Sequence, residues 1–276
     1  MSPPAIELTA DDVAWVRAYA AEVVKTFEKE FEAAVDRFQD GQVLLDRFHE
    51  AIECVLTKGR GHFRAADEAH NELCVASAIL GNSKLKFVRL EYEPALADCG
   101  KTIDFRATAE NGEIVYMDVK TIKPEDTDRW EQFERARAEG WFPENVIVAI
   151  SEEWGGGEIW HAWFAVRGRM LEYSLELEQK IREARLAEKN VGTVLALCSD
   201  GFRWRQDQLE DFVAFYSTGA YRADDPFSEM ERKHMANNNI SIVRTISRFA
   251  YFERKQGEVR PRRVNWYVRP PRDPFA

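Results

Sequence analysis

The chain of 276 residues is 45% hydrophobic and 31% charged, which supplies enough apolar material for a packed core and excludes a disordered polymer. Its formal net charge of -10 argues against a general nucleic-acid coat, because phosphate binding needs clustered lysine and arginine. No basic-then-apolar leader opens the sequence and no apolar run approaches the roughly 20 residues of a membrane span, so a cytoplasmic protein without a membrane partner is expected.

Thr9 followed by Asp12 forms an N-cap signal, and Val13, Val16, Ala20, Val23, Val24, Phe27 and Phe31 recur at helical spacing. A long amphipathic helix is predicted there, with a second over about Gln42–Leu56. Residues 1–58 thus read as an acidic helical extension that either packs on the rest of the chain or offers a surface to a second copy or a protein partner. Gly59, Arg60 and Gly61 break the pattern. A third helix over about Phe63–Leu80 places Leu73, Ala76 and Leu80 on one face and stops at Gly81-Asn82. Three strand-like runs follow, near Lys86–Glu93, Thr102–Thr108 and Glu113–Ile122. A helix over about Asp126–Glu139 then precedes the apolar run Val146–Ile150, which suits a strand buried on both faces.

Beyond it, Gly155-Gly156-Gly157 lacks the Lys-Ser/Thr of a phosphate loop and reads as a turn. A charged helix is predicted over about Arg169–Glu188, then a strand in TVLALC, a helix near Gln206–Tyr216 and basic C-terminal strands. Cys54, Cys74, Cys99 and Cys198 are too scattered for a zinc site or a disulfide framework, and the five histidines show no i, i+4 pair. From residue 244 onward nine basic residues stand against three acidic ones. That island is either a solvated hairpin or a strip for a phosphate backbone, with Tyr251, Phe252, Trp266 and Tyr267 suited to stacking or to ordinary strand packing.

The run IDFRATAENGEIVYMDVK, residues 103–120, sets aspartates into what are otherwise apolar strands. A two-residue turn at Asn111-Gly112 would make facing numbers sum to 223 and oppose every apolar residue to a polar one. A three-residue loop of Glu110, Asn111 and Gly112 makes the sum 222, so Phe105 faces Met117, Ala107 faces Val115 and Ile103 faces Val119. Asp104 then opposes Asp118, with Lys120 two residues along on the same side. Opposed Cβ atoms lie about 5 Å apart, so two carboxylates there repel unless a cation joins them. Hard divalent ions use one or two carboxylates and complete their shell with water and substrate phosphates. The alternative is a solvated polar face.

With Glu72 in NELCVASAIL, Asp104 in TIDF, and Asp118 and Lys120 in MDVKTI, residues 68–122 resemble the PD-(D/E)xK nuclease superfamily, with Ile103 where the name-giving proline often stands. The resemblance implies an α/β protein with a restriction-endonuclease-like αβββαβ core and mixed central sheet over residues 59–200. Residues 1–58 would be an N-terminal helical extension, and residues 201–276 a C-terminal helix and basic strands. It implies that Asp104, Asp118 and the Val119 carbonyl bind Mg²⁺ or Mn²⁺, with Glu72, or Glu68 one turn earlier, approaching the same site. Lys120 would orient or deprotonate the attacking water, and Gln132 would point at the site. The expected activity is hydrolysis of phosphodiester bonds in nucleic acid, DNA in preference to RNA, with Arg254, Lys255, Arg260, Arg262 and Arg263 holding the backbone. A catalytically silent binding or assembly module of the same fold and an RNA-cleaving enzyme are the alternatives, and restriction, repair and phage defence all stay open.

Overall fold

A computed structural model describes residues 8–59, 62–82, 86–97, 99–122, 157–201, 204–218, 242–255 and 257–268, with backbone alone for 157–165, 167 and 168. The predicted helix over Asp126–Glu139, the run Val146–Ile150 and Gln132 lie outside the described residues, as do Gly155 and Gly156. The protein is α/β. Among the described residues, helices α1 (Ala10–Glu32), α2 (Gly41–Lys58) and α3 (Phe63–Leu80) precede strands β1 (Phe87–Tyr92), β2 (Phe105–Ala109) and β3 (Ile114–Thr121). Helix α4 (Gly157–Glu183), strand β4 (Gly192–Ser199), helix α5 (Gln206–Thr218) and strands β5 (Arg248–Glu253) and β6 (Arg263–Val268) complete the order. No helix among the described residues is long and apolar enough to cross a membrane.

The six strands form one mixed sheet in chain order. β1, β2 and β3 are antiparallel neighbours; β3, β4 and β5 run parallel; β6 returns antiparallel on β5. Both sides of β3 are therefore taken, by β2 and by the TVLALC strand. Every residue of β4 is buried, as expected of a parallel strand covered on both faces. The basic tail supplies a further interior strand: Phe249, Ala250, Tyr251 and Phe252 of β5 are all buried, and the charges sit at its ends, on Arg248 and Glu253.

Two apolar clusters sandwich the sheet. On one face Val16, Phe27, Phe48, Leu73 and their neighbours from α1, α2 and α3 pack on Phe105, Val115, Met117, Val194, Ala196 and Phe252. On the other, Met170, Leu177 and Ile181 of α4 and Phe212 and Tyr216 of α5 pack on Leu195, Leu197, Phe249 and Tyr251. Alternation along each strand feeds both clusters. The Thr9–Asp12 capping box is formed, and Val16, Ala20, Val23, Phe27 and Phe31 are the buried stripe of α1, with the predicted Val13 and Val24 half-buried at its margin. α4 begins at Gly157 rather than at Arg169: the run after the glycines contains no Pro, and Gly168 is carried inside the helix without ending it.

The hairpin takes the predicted register. Phe105 pairs with Met117 and Ala107 with Val115, and Gly112 adopts φ +81°, the left-handed conformation a bulged three-residue turn demands. The ladder ends at Phe105, however. Ile103 does not face Val119: it lies in the α4 and α5 cluster, whereas Val119 lies in the cluster beneath α1, α2 and α3. The next ladder bond would run from the Val119 N–H to the Ile103 carbonyl, but the Asp104 side chain accepts it, Oδ2 at 2.5 Å, and the chain bends away.

Candidate active site

Asp104, Asp118 and Lys120 gather where β2 begins and β3 ends, at the carboxyl edge of the three parallel strands, the side of open α/β sheets that hosts ligands. The Asp104 carboxylate is fixed by the Val119 N–H, while its own carbonyl accepts from Glu93 N–H at 2.9 Å. Burial first, and then the nearby Asp118 charge, push the Asp104 carboxyl up to about 6, against the Val119 N–H and the ammonium groups of Lys120 and Lys180.

Asp118 is wholly buried. Its Oδ1 accepts from Lys180 Nζ at 2.9 Å. Its Oδ2 lies 3.3 Å from Lys120 Nζ, an ion pair by distance, yet no donor is aligned to it and it is left without a hydrogen bond. A buried carboxylate oxygen lacking an aligned donor is costly, and such exceptions cluster where a group is held ready for something else. Lys120 Nζ also lies 4.0 Å from Glu176 Oε2 and 5.6 Å from the Tyr173 ring centroid. Burial works to lower the Lys120 pKa, but Asp118, Asp104 and Glu176 together outweigh it and raise it, so the ammonium keeps its proton at neutral pH.

Glu72 comes from α3 and is almost completely buried. Its Oε2 accepts from Tyr92 OH at 2.7 Å and lies 3.2 Å from Arg47 Nη1. Burial, then the Asp104 charge, raise its carboxyl to about 8 despite Arg47 and Tyr92. It stands within electrostatic reach of Asp104 but is already engaged. Glu68 faces outward and pairs with Arg64 at 2.9 Å. Among the described residues no group of three or more His, Cys, Asp or Glu side chains could hold a metal. The structure thus brings together one carboxylate pair, Asp104 and Asp118. Val119 contributes its N–H to Asp104. That donor set, with the unbonded Asp118 Oδ2, fits an ion that keeps most of its waters, as Mg²⁺ does, rather than an ion caged by protein ligands.

Tyr173, Glu176 and Lys180 of α4 also belong to the site and were not among the predicted residues. Their spacing of three and four residues puts them on one helix face, within a stretch that the sequence shows only as a charged helix.

The basic tail is largely neutralised by its own chain. Arg254 is buried, with Asp67 Oδ1 3.1 Å from Nη2, Asn71 Oδ1 3.1 Å from Nε and Tyr19 Oη 3.0 Å from Nη1. Arg260 pairs with Glu30 and Arg262 with Glu258, while Arg263 Nη1 reaches Gln206 Oε1 at 3.3 Å. The Lys255 side chain is exposed. No protein-family model, curated protein or solved structure matches the chain.

Proposed function

We propose that this protein is a metal-dependent nuclease of the PD-(D/E)xK type, with a restriction-endonuclease-like core, that hydrolyses phosphodiester bonds in DNA. The observation that carries the reading is the meeting of Asp104 and Asp118 beside Lys120, with one buried Asp118 oxygen lacking a hydrogen bond. Asp104 and Asp118 would hold Mg²⁺ or Mn²⁺, which supplies Lewis acidity and a more acidic water. The Val119 N–H and the bend at Asp104 fix one carboxylate, and Lys180 fixes the other. Lys120, kept protonated by its acidic neighbours, presents positive charge to a phosphate whose negative charge grows during attack. Glu72, largely protonated near neutrality, buttresses the site through Tyr92 and Arg47.

The test is degradation of plasmid and linear DNA, beside labelled RNA, by wild type and Lys120→Ala with Mg²⁺ or Mn²⁺. Wild type is expected to cut DNA and the variant to fail. A second reading is favoured by one observation: Lys180 already neutralises Asp118, as in a catalytically silent binding module of the same fold. Absence of cleavage with every divalent ion tried selects that module, and preferential cleavage of RNA reassigns the substrate.

A further inference from the structure

On the other side of the same sheet edge a cleft of about 220 Å³ opens between α1, α3 and the ends of β3, β4 and β5. Its size falls below the roughly 300–1,000 Å³ of pockets for drug-sized ligands, so it suits a single ring system. One wall is Trp15, which is 44% exposed. Tyr19 stacks on it with ring centroids 5.2 Å apart and planes 6° from parallel, so one indole face is backed and the ring is held as a platform. The remaining lining is mixed: Val16, Ile52, Phe63, Ala66 and Ile122 are apolar, and the Asp67 and Asp200 carboxylates, Asn71, Thr121 and Ser199 supply the polar groups. The buried Arg254 cation is met by Asp67, Asn71 and Tyr19, and two carboxylates line the same space, so the cleft is poorly suited to a phosphate. A flat, uncharged heterocycle with N–H donors on its edge suits it well.

The cleft is coupled to the acidic pair through adjacent residues. Asn71 Nδ2 donates to Thr121 Oγ1 at 2.8 Å; Asn71 precedes Glu72 and Thr121 follows Lys120. Lys120 and Thr121 are consecutive on β3 and point to opposite faces, so the cleft and the carboxylates flank the same end of that strand. We infer that the cleft receives one unstacked nucleobase of the substrate strand, stacked on Trp15, while a phosphodiester of the same strand lies across the sheet edge at Asp104, Asp118 and Lys120. This rests on the nuclease reading for its substrate class. Stacking on an aromatic side chain with hydrogen bonds to the base edge is how enzymes hold an extruded base.

The test is fluorescence anisotropy of the full chain with a labelled single-stranded DNA oligonucleotide and with an abasic strand of equal length, metal chelated throughout. Wild type is expected to bind the abasic strand about 5- to 100-fold more weakly, the worth of one stacked base. Trp15→Ala should weaken binding of the natural strand by the same factor and leave the abasic strand unchanged, and Trp15→Phe should restore most of the loss. Equal binding of the two strands by wild type, an equal loss on both in Trp15→Ala, or no binding of either strand overturns the inference. Cleavage with Mg²⁺ is read separately. A protein that discriminates the strands but cuts neither keeps the base pocket and loses the nuclease reading, and one that cuts but binds both alike does the reverse.

Discussion

Two clusters of buried charge lie at the same edge of the sheet, on opposite faces, and differ in how completely they are satisfied. On the α1 and α3 side, the Arg254 guanidinium meets Asp67, Asn71 and Tyr19, and Asn71 passes the chain of bonds on to Thr121. On the α4 side, Asp118 is equally buried and is approached by two ammonium groups, yet one of its oxygens has no hydrogen bond and its neighbour Asp104 is pushed up to about 6. Burial alone does not separate structure from chemistry. A completed network ties α1, α3 and β5 together, whereas an incomplete one holds carboxylates in a state that a further cation would relieve.

The largest expected effect tests the incomplete cluster. Lys120→Ala should lower Mg²⁺-dependent DNA cleavage by about 10²–10⁴-fold, the range for one group acting at the reacting centre, while circular dichroism and the urea midpoint change little. Comparable loss of fold would make Lys120 structural and erase the contrast. The next effect falls on the complete cluster. Arg254→Met leaves Asp67 beside an apolar chain and should cost about 3–5 kcal/mol in urea unfolding, the usual penalty for breaking a buried pair by removing one partner. A loss below about 1 kcal/mol would show that the satisfied network is not what joins these elements.

A third, smaller effect separates the clusters by pH. In chelator the folded Asp104 carboxyl titrates near 6 against 3.8 as its ordinary value, so it binds its proton more tightly in the folded state. The stability this contributes is present below about pH 4 and lost as pH rises through about 6. Wild type should therefore lose on the order of 1–3 kcal/mol relative to Asp104→Asn between those limits, read from urea midpoints at each pH. A constant difference would mean that Asp104 is not held against Asp118.

The hairpin was legible because the side-chain period is two: only one turn length puts Phe105, Ala107, Val115 and Met117 on a common face, and Gly112 supplies the positive φ that this turn needs. Ile103 was misplaced for a reason no alternation pattern contains, since a side-chain oxygen replaced a backbone acceptor and ended the ladder. Lys180 was hidden by distance, standing 62 residues from Asp118 in sequence on a helix that reads as merely charged. Counting charges in the tail concealed that RFAYFE carries its arginine and glutamate at the ends and a buried apolar centre between them.

The smallest effect is the most discriminating for α3, which offers two acids one turn apart. Glu68 and Arg64 form an i, i+4 pair with side chains 37% and 47% exposed, a surface contact worth at most about 0.5 kcal/mol. Yet both charges reach Tyr173, over whose ring Lys120 sits, so Glu68 is not remote from the site. If burial with incomplete satisfaction marks the chemistry, Glu68→Gln should leave stability within about 0.5 kcal/mol and cleavage within about twofold of wild type. Glu72→Ala should disturb both, because it removes the partner of Tyr92 and Arg47. A tenfold fall in cleavage for Glu68→Gln with unchanged stability would reverse the assignment: the exposed acid would then serve the reaction, and Glu72 would join Arg254 among the satisfied groups that hold the sheet edge together.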